Sequence, residues 1–194
     1  MEPIRYYSTN RGLARPGWKP FTRLVSFREA LLMGQAPDGG LFMPERIPVL
    51  PVATIRGFKG RPYREAALAV ARAWLGDCLL PAELETAVRD AYDFDVPLER
   101  VFGRTYVLRL DRGPTASFKD FAARLMSRLM SALRDPSRRL NVLVATSGDT
   151  GSAIGDAFRG VEGIGVWILY PAREVSPRQK QQLGQKHHAD REAE

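Results

Sequence analysis

The stretch Leu140-Asn141-Val142-Leu143-Val144-Ala145-Thr146-Ser147-Gly148-Asp149-Thr150-Gly151 decides how this chain folds. Its first half is an apolar, β-branched run that reads as a buried strand. Its second half is a loop of small and hydroxyl-bearing residues, opening a helix predicted over residues 149–158 and ended by Gly160. Gly165-Val166-Trp167-Ile168-Leu169-Tyr170 is the next strand, closed by Pro171. Upstream, Tyr106-Val107-Leu108-Arg109-Leu110 reads as a strand. Residues 117–134 read as a helix with Phe118, Phe121, Ala122, Leu125, Met126, Leu129 and Leu133 along one face, stopped at Asp135-Pro136. The order β-α-β-α-β implies an α/β fold, an open sheet of parallel strands with covering helices. Ligands of such sheets bind beyond the carboxyl ends of the strands, which is where Ser147, Gly148, Asp149 and Thr150 fall.

The region before about residue 97 has a different character. Ser26-Phe27-Arg28-Glu29 is a capping box that starts a short helix running to Gly34. Pro37-Asp38-Gly39-Gly40 is a turn. Residues 63–76 and 82–92 read as amphipathic helices separated by Leu80-Pro81. Residues 1–96 are therefore expected to form a small mixed helical domain, residues 97–182 a partial α/β domain, and residues 183–194 a polar tail that frays.

Bulk properties narrow the function classes. With 194 residues, 44% hydrophobic and 26% charged, the composition is that of a globular protein. No run approaches the roughly 18 apolar residues of a membrane span, and the N-terminus has no secretory pattern. One cysteine, Cys78, excludes an internal disulfide, and a cytoplasmic location is expected. The net charge of +7 invites a nucleic-acid reading, but the arginines are scattered and no aromatic platform is interleaved with them. His187 and His188 lack a spaced third ligand, so no metal is expected.

The candidate chemistry lies in Thr115-Ala116-Ser117-Phe118-Lys119-Asp120-Phe121-Ala122-Ala123-Arg124. Lys119 stands at a helix start between two aromatics. The helix dipole disfavours a positive charge there, and Phe118 and Phe121 are expected to limit water, which suits a nucleophilic amine. Thr115 and Ser117 are candidate caps, and Asp120 and Arg124 are spaced for an i,i+4 pair. An amine of this kind beside a loop that can hold an anion at a helix N-terminus suggests pyridoxal phosphate chemistry. The plain alternative is a solvated lysine in an ordinary first turn.

Gly113-Pro114-Thr115-Ala116-Ser117-Phe118-Lys119-Asp120-Phe121 and Ala145-Thr146-Ser147-Gly148-Asp149-Thr150-Gly151 resemble the two signature blocks of the threonine synthase family. Tyr6-Tyr7-Ser8-Thr9, Val25 to Leu31, Ala36 to Glu45, Ile168 to Pro171 and Val175-Ser176-Pro177 agree in order, up to about Gln182. Ordered blocks carry far more weight than one short motif. The resemblance implies a fold type II pyridoxal phosphate enzyme, a lyase that converts O-phospho-L-homoserine and water to L-threonine and phosphate. By the same resemblance Lys119 bears the cofactor as a Schiff base, with Phe118 and Asp149 beside it. Ser147, Gly148, Asp149 and Thr150 take the carboxylate of the phosphorylated amino-acid substrate. Related enzymes often carry asparagine at the place of Asp149, near the phenolic oxygen of the cofactor. A carboxylate there repels a phenolate unless a proton lies between them.

The chain also departs from the family. Members are more than twice as long, so a truncated form is expected, and the loop that cradles the cofactor phosphate lies downstream in the family. Asp111-Arg112 replaces a phenylalanine-histidine pair. The alternative reading is a non-catalytic remnant or interaction module that keeps only the N-terminal fold.

Overall fold

The computed structural model describes residues 2–13, 17–146 and 148–171. Ser147, Val175-Ser176-Pro177, both histidines and the tail from residue 183 thus lie outside the described residues. The chain divides into two compact units, one of residues 1–61 and 65–86, the other of residues 62–64 and 87–194.

In the first unit, β1 (Tyr6–Ser8) pairs antiparallel with β2 (Phe42–Pro44), and Tyr6 makes a further bridge to Val25. Helix α1 (Phe27–Met33) starts on the capping box read from the sequence. Ser26 Oγ accepts the Glu29 N–H at 3.2 Å, and Glu29 accepts the Ser26 N–H at 2.8 Å. The core gathers Ile4, Tyr6, Val25 and Ala30, with Phe21, Phe27, Phe42 and Trp74 against them. A buried polar knot sits beside it. Asp38 accepts the Ser8 hydroxyl at 2.5 Å and the Phe21 and Gly40 amides at 2.9 and 3.1 Å. The Pro37–Gly40 turn requires its glycines. Gly39 has φ +72°, and a Cβ on Gly40 would stand 2.1 Å from Ser8 Oγ. A short helix α2 (Val52–Arg56), which has no clear periodic signal, follows. Helices α3 (Tyr63–Leu75) and α4 (Pro81–Ala91) come next, close to their expected bounds, and residues of each belong to both units.

In the second unit, β3 (Leu98–Phe102) and β4 (Thr105–Leu108) form an antiparallel hairpin with an irregularity between Arg100 and Phe102. Helix α5 (Lys119–Leu133) leads into β5 (Leu140–Ala145), helix α6 (Asp149–Ala157) follows, and β6 (Ile164–Leu169) pairs parallel with β5 in register Leu140↔Ile164 to Ala145↔Leu169. The parallel sheet among the described residues therefore comes from the second and third strands of the expected β-α-β-α-β unit. The first strand, expected over Tyr106–Leu110, pairs instead with β3, a partner close in sequence across a tight turn at Gly103 (φ +49°). Ala123, Ala153, Ile154, Ala157, Phe158 and Ile164 form the core between sheet and helices, with Met126 and Met130 as filler. Small residues on α6 let α5 pack closely on it, as the alanine and glycine content of residues 149–158 allows.

Candidate active site

Topology sets where the site lies. Helix α5 enters β5 through a short turn at residues 134–139, so α5 runs back along the strand that follows it. Its 15 residues span about 22 Å, close to the roughly 20 Å of six-residue β5. The N-terminus of α5 thus lies toward the carboxyl end of β5, where α6 also begins. Lys119 is the first residue of α5 and Asp149 the first of α6.

Lys119 is half-buried, and its ammonium rests 3.9 Å from the centroid of the Phe118 ring. No carboxylate lies within salt-bridge distance of it among the described residues. The expected two-ring shield is not formed. Phe118 is 59% exposed, while Phe121 is committed to a cluster of rings with Tyr63 and Phe94 at 5.5 and 5.4 Å in edge-to-face contact. Tyr92 adds a third neighbour, and its hydroxyl donates to the Phe121 carbonyl at 3.1 Å. Burial, and then the nearby Tyr63, pushes the Tyr92 phenol well above its ordinary value. Each such ring pair contributes about 0.5–1.5 kcal/mol beyond its burial, which holds Phe121 in the cluster.

The capping expectation holds in part. Ser117 Oγ accepts the Lys119 N–H at 3.3 Å. Thr115 caps nothing; its hydroxyl donates to Asp120 Oδ1 at 2.7 Å, and its N–H to Oδ2 at 3.0 Å. The expected Asp120–Arg124 pair is also absent, because both side chains are buried with other partners. Arg124 donates to the Ala91 and Asp90 carbonyls at 2.7 and 2.9 Å and to Asp93 Oδ1 at 2.7 Å. It therefore holds the last carbonyls of α4, where a cation is favoured.

In the loop, Gly148 is buried at φ 147°, ψ −77°, Asp149 is exposed and Thr150 is half-buried. Thr146, which the sequence reading left aside, organises this turn. Its N–H donates to the Leu169 carbonyl at 2.9 Å, and its Oγ1 accepts the Gly148 and Gly151 amides at 3.1 and 3.3 Å. The signal was present as a hydroxyl at the last position before the glycine turn. Ala145, Thr146, Leu169, Tyr170 and Pro171 line an open depression at the same end of the sheet.

A sheet end with an amine and a helix-opening loop is the ligand position of an α/β enzyme, and the fold itself is that of the fold type II pyridoxal phosphate enzymes. It superposes on the crystal structure of PLP-bound threonine synthase from Brucella melitensis with a TM-score of 0.80 at 38% identity, covering 92% of this chain and 38% of that one. Threonine synthase from Escherichia coli gives 0.79 at 30% identity, covering 92% and 40%.

Sequence comparison points the same way. Residues 5–92 match the family described as threonine synthase N terminus. The chain is 40% identical to threonine synthase of Haemophilus influenzae over 156 residues, 80% of this chain and 36% of that protein. It is 35% identical to that of Pseudomonas aeruginosa over 186 residues, 93% and 38% of the two. Over most of its length this chain matches the N-terminal portion of threonine synthases, and it spans a little over a third of the length of these relatives.

Proposed function

We propose that this chain serves as the N-terminal portion of a pyridoxal phosphate-dependent threonine synthase, a cytoplasmic lyase that turns O-phospho-L-homoserine and water into L-threonine and phosphate. Residues 1–96 would be its N-terminal domain and residues 97–182 the start of its cofactor domain. The observation that carries this reading is Lys119, a half-buried amine without a carboxylate partner among the described residues, at the sheet end where α5 and α6 both begin.

The residues present fit the aldehyde end of the cofactor. A primary amine tied up in an ion pair would have to break it before reacting, whereas among the described residues the Lys119 amine has only the weak contact to Phe118, worth about 0.5–1 kcal/mol at an exposed ring. Lys119 would hold the cofactor through its ε-nitrogen, with Phe118 beside it and Asp149 toward its phenolic oxygen. When bound, pyridoxal phosphate supplies the electron sink for proton removals, loss of the γ-phosphate and addition of water at the β-carbon. Lys119 Nζ would take up and return the protons. Ser147, Gly148, Asp149 and Thr150 would receive the substrate carboxylate at the α6 N-terminus, and the carboxylate would take over amides that Thr146 Oγ1 now occupies.

Adding pyridoxal phosphate to the purified chain tests this. An absorbance band near the visible edge is expected, and it should vanish in Lys119→Ala. A folded wild-type chain without the band, or a band that survives in Lys119→Ala, overturns the assignment.

A further inference from the structure

The residue after the lysine supports a deeper reading, which rests on Lys119 being the reactive amine. Asp120 is wholly buried, and its carboxylate is held by the Thr115 N–H at 3.0 Å and the Thr115 hydroxyl at 2.7 Å. No salt bridge reaches it among the described residues, since Arg124 pairs with Asp93 and lies 3.9 Å from Asp156. A carboxylate out of water is unfavourable unless its neighbours bind it firmly.

What Asp120 holds is the loop leading to Lys119. That loop is tight. Ala116 sits at φ +57°, a region that side-chain-bearing residues avoid, and its N–H donates to the Gly113 carbonyl at 3.0 Å. A Cβ on Gly113 would stand 2.4 Å from Asp120 Oδ2, so only glycine fits against the carboxylate. The Asp120 N–H donates to the Ser117 carbonyl at 3.0 Å and the Lys119 N–H to Ser117 Oγ at 3.3 Å. Helix-dipole complementarity alone would be served by a solvent-facing carboxylate. Burial and two bonds back to a strained loop go beyond that need.

We propose that Asp120 is a positioning residue. Its latch on Thr115 fixes the backbone from Gly113 to Lys119, and so fixes the direction in which the lysine amine leaves the helix.

The test reads Lys119 without requiring turnover. The full chain is treated with limiting acetic anhydride, and acetylation at Lys119 is measured by mass spectrometry against the exposed Lys19 and Lys59 in the same molecules. In parallel, pyridoxal phosphate is trapped with borohydride. The amine displaces the aldehyde oxygen as water, and hydride reduces the resulting C=N bond. Asp120→Ala is expected to shift the Lys119-to-reference ratio and to cut trapping at Lys119 about tenfold, short of the roughly 100-fold that a misplacement of about 1 Å can cost. Asp120→Asn should restore both to within about threefold, because its amide oxygen accepts the Thr115 N–H and its amide N–H donates to the hydroxyl. Thr115→Val, which keeps the backbone bond, should fall between.

A folded Asp120→Ala chain with wild-type ratio and trapping overturns the proposal. So does a folded Asp120→Asn chain as impaired as Asp120→Ala, since charge and not the latch would then be at work. Should Asp120→Ala fail to fold, Thr115→Val decides, and a wild-type ratio there is equally fatal. Failure of the cofactor reading looks different: the wild type traps nothing at Lys119, while the acetylation ratio still responds to Asp120→Ala.

Discussion

The Ser8–Asp38 knot of the first unit and the β5–β6 sheet of the second treat water in opposite ways. The knot takes a carboxylate out of solvent and satisfies it with a hydroxyl and two amides. Burial raises the Asp38 pKa, but the bonds from Ser8, Phe21 and Gly40 outweigh it and the net shift is downward. In the sheet, Val142, Val144 and Val166 face the α5–α6 core, yet Leu143, Trp167 and Leu169 on the other face are 73, 55 and 62% exposed. Parallel strands are ordinarily covered on both faces. The knot thus closes on residues of the first unit alone, whereas among the described residues the parallel sheet is covered on the face of the α5–α6 core and open on the other.

The sharpest break of that comparison comes from the interior shared by no site residue. Leu84 is 1% exposed. Leu84→Ala removes buried methyl groups and leaves a cavity, so denaturant unfolding should show a loss of about 3 kcal/mol. Acid comes next. Asp38 lies below its ordinary range, and Glu29 is held at about 2 by the Ser26 amide, then by Arg23 and the Ser26 hydroxyl. Both folded-state values are depressed, so what these groups contribute is complete above the unfolded carboxylate range and is lost as pH falls through it toward the folded values. Thermal scans should be flat above about pH 5 and decline steadily below it. Ser26→Ala should weaken that decline and cost about 1 kcal/mol at neutral pH.

The parts of this fold that were legible in the sequence are those governed by local rules. The capping box at Ser26, the turn at Pro37–Gly40, and helices α3 to α6 follow from periodicity and backbone chemistry within a few residues. The partner of β4 did not. A run such as Thr105–Leu108 has the same composition whether it joins a parallel sheet or a hairpin, and the choice depends on contacts far along the chain. At the site, Lys119 and the α6 loop stand out by residue type, but the roles of Asp120 and Thr146 do not. Spacing alone pairs Asp120 with Arg124 four residues on; burial sends one back to Thr115 and the other to the end of α4. Similarly, Phe121 reads as a lysine neighbour until the rings of Tyr63, Tyr92 and Phe94 claim it.

The smallest expected effect probes the uncovered sheet face directly. Leu143→Lys places a charge on a position that is already 73% in water, midway along β5. If the face is solvent-facing in the isolated chain, the folding free energy should move by no more than about 0.5 kcal/mol, as for other surface substitutions. The same change should reduce self-association, because an apolar strand face with an open edge is a template for pairing. Equilibrium unfolding and sedimentation together separate the two effects. Val144→Lys is the control on the opposite face, where the side chain packs against the α5–α6 core and a lysine would leave an unpaired charge among apolar groups. A large destabilisation from Leu143→Lys, comparable to that from Val144→Lys, would mean that both faces of the sheet are covered in solution and that the contrast with the first unit does not hold.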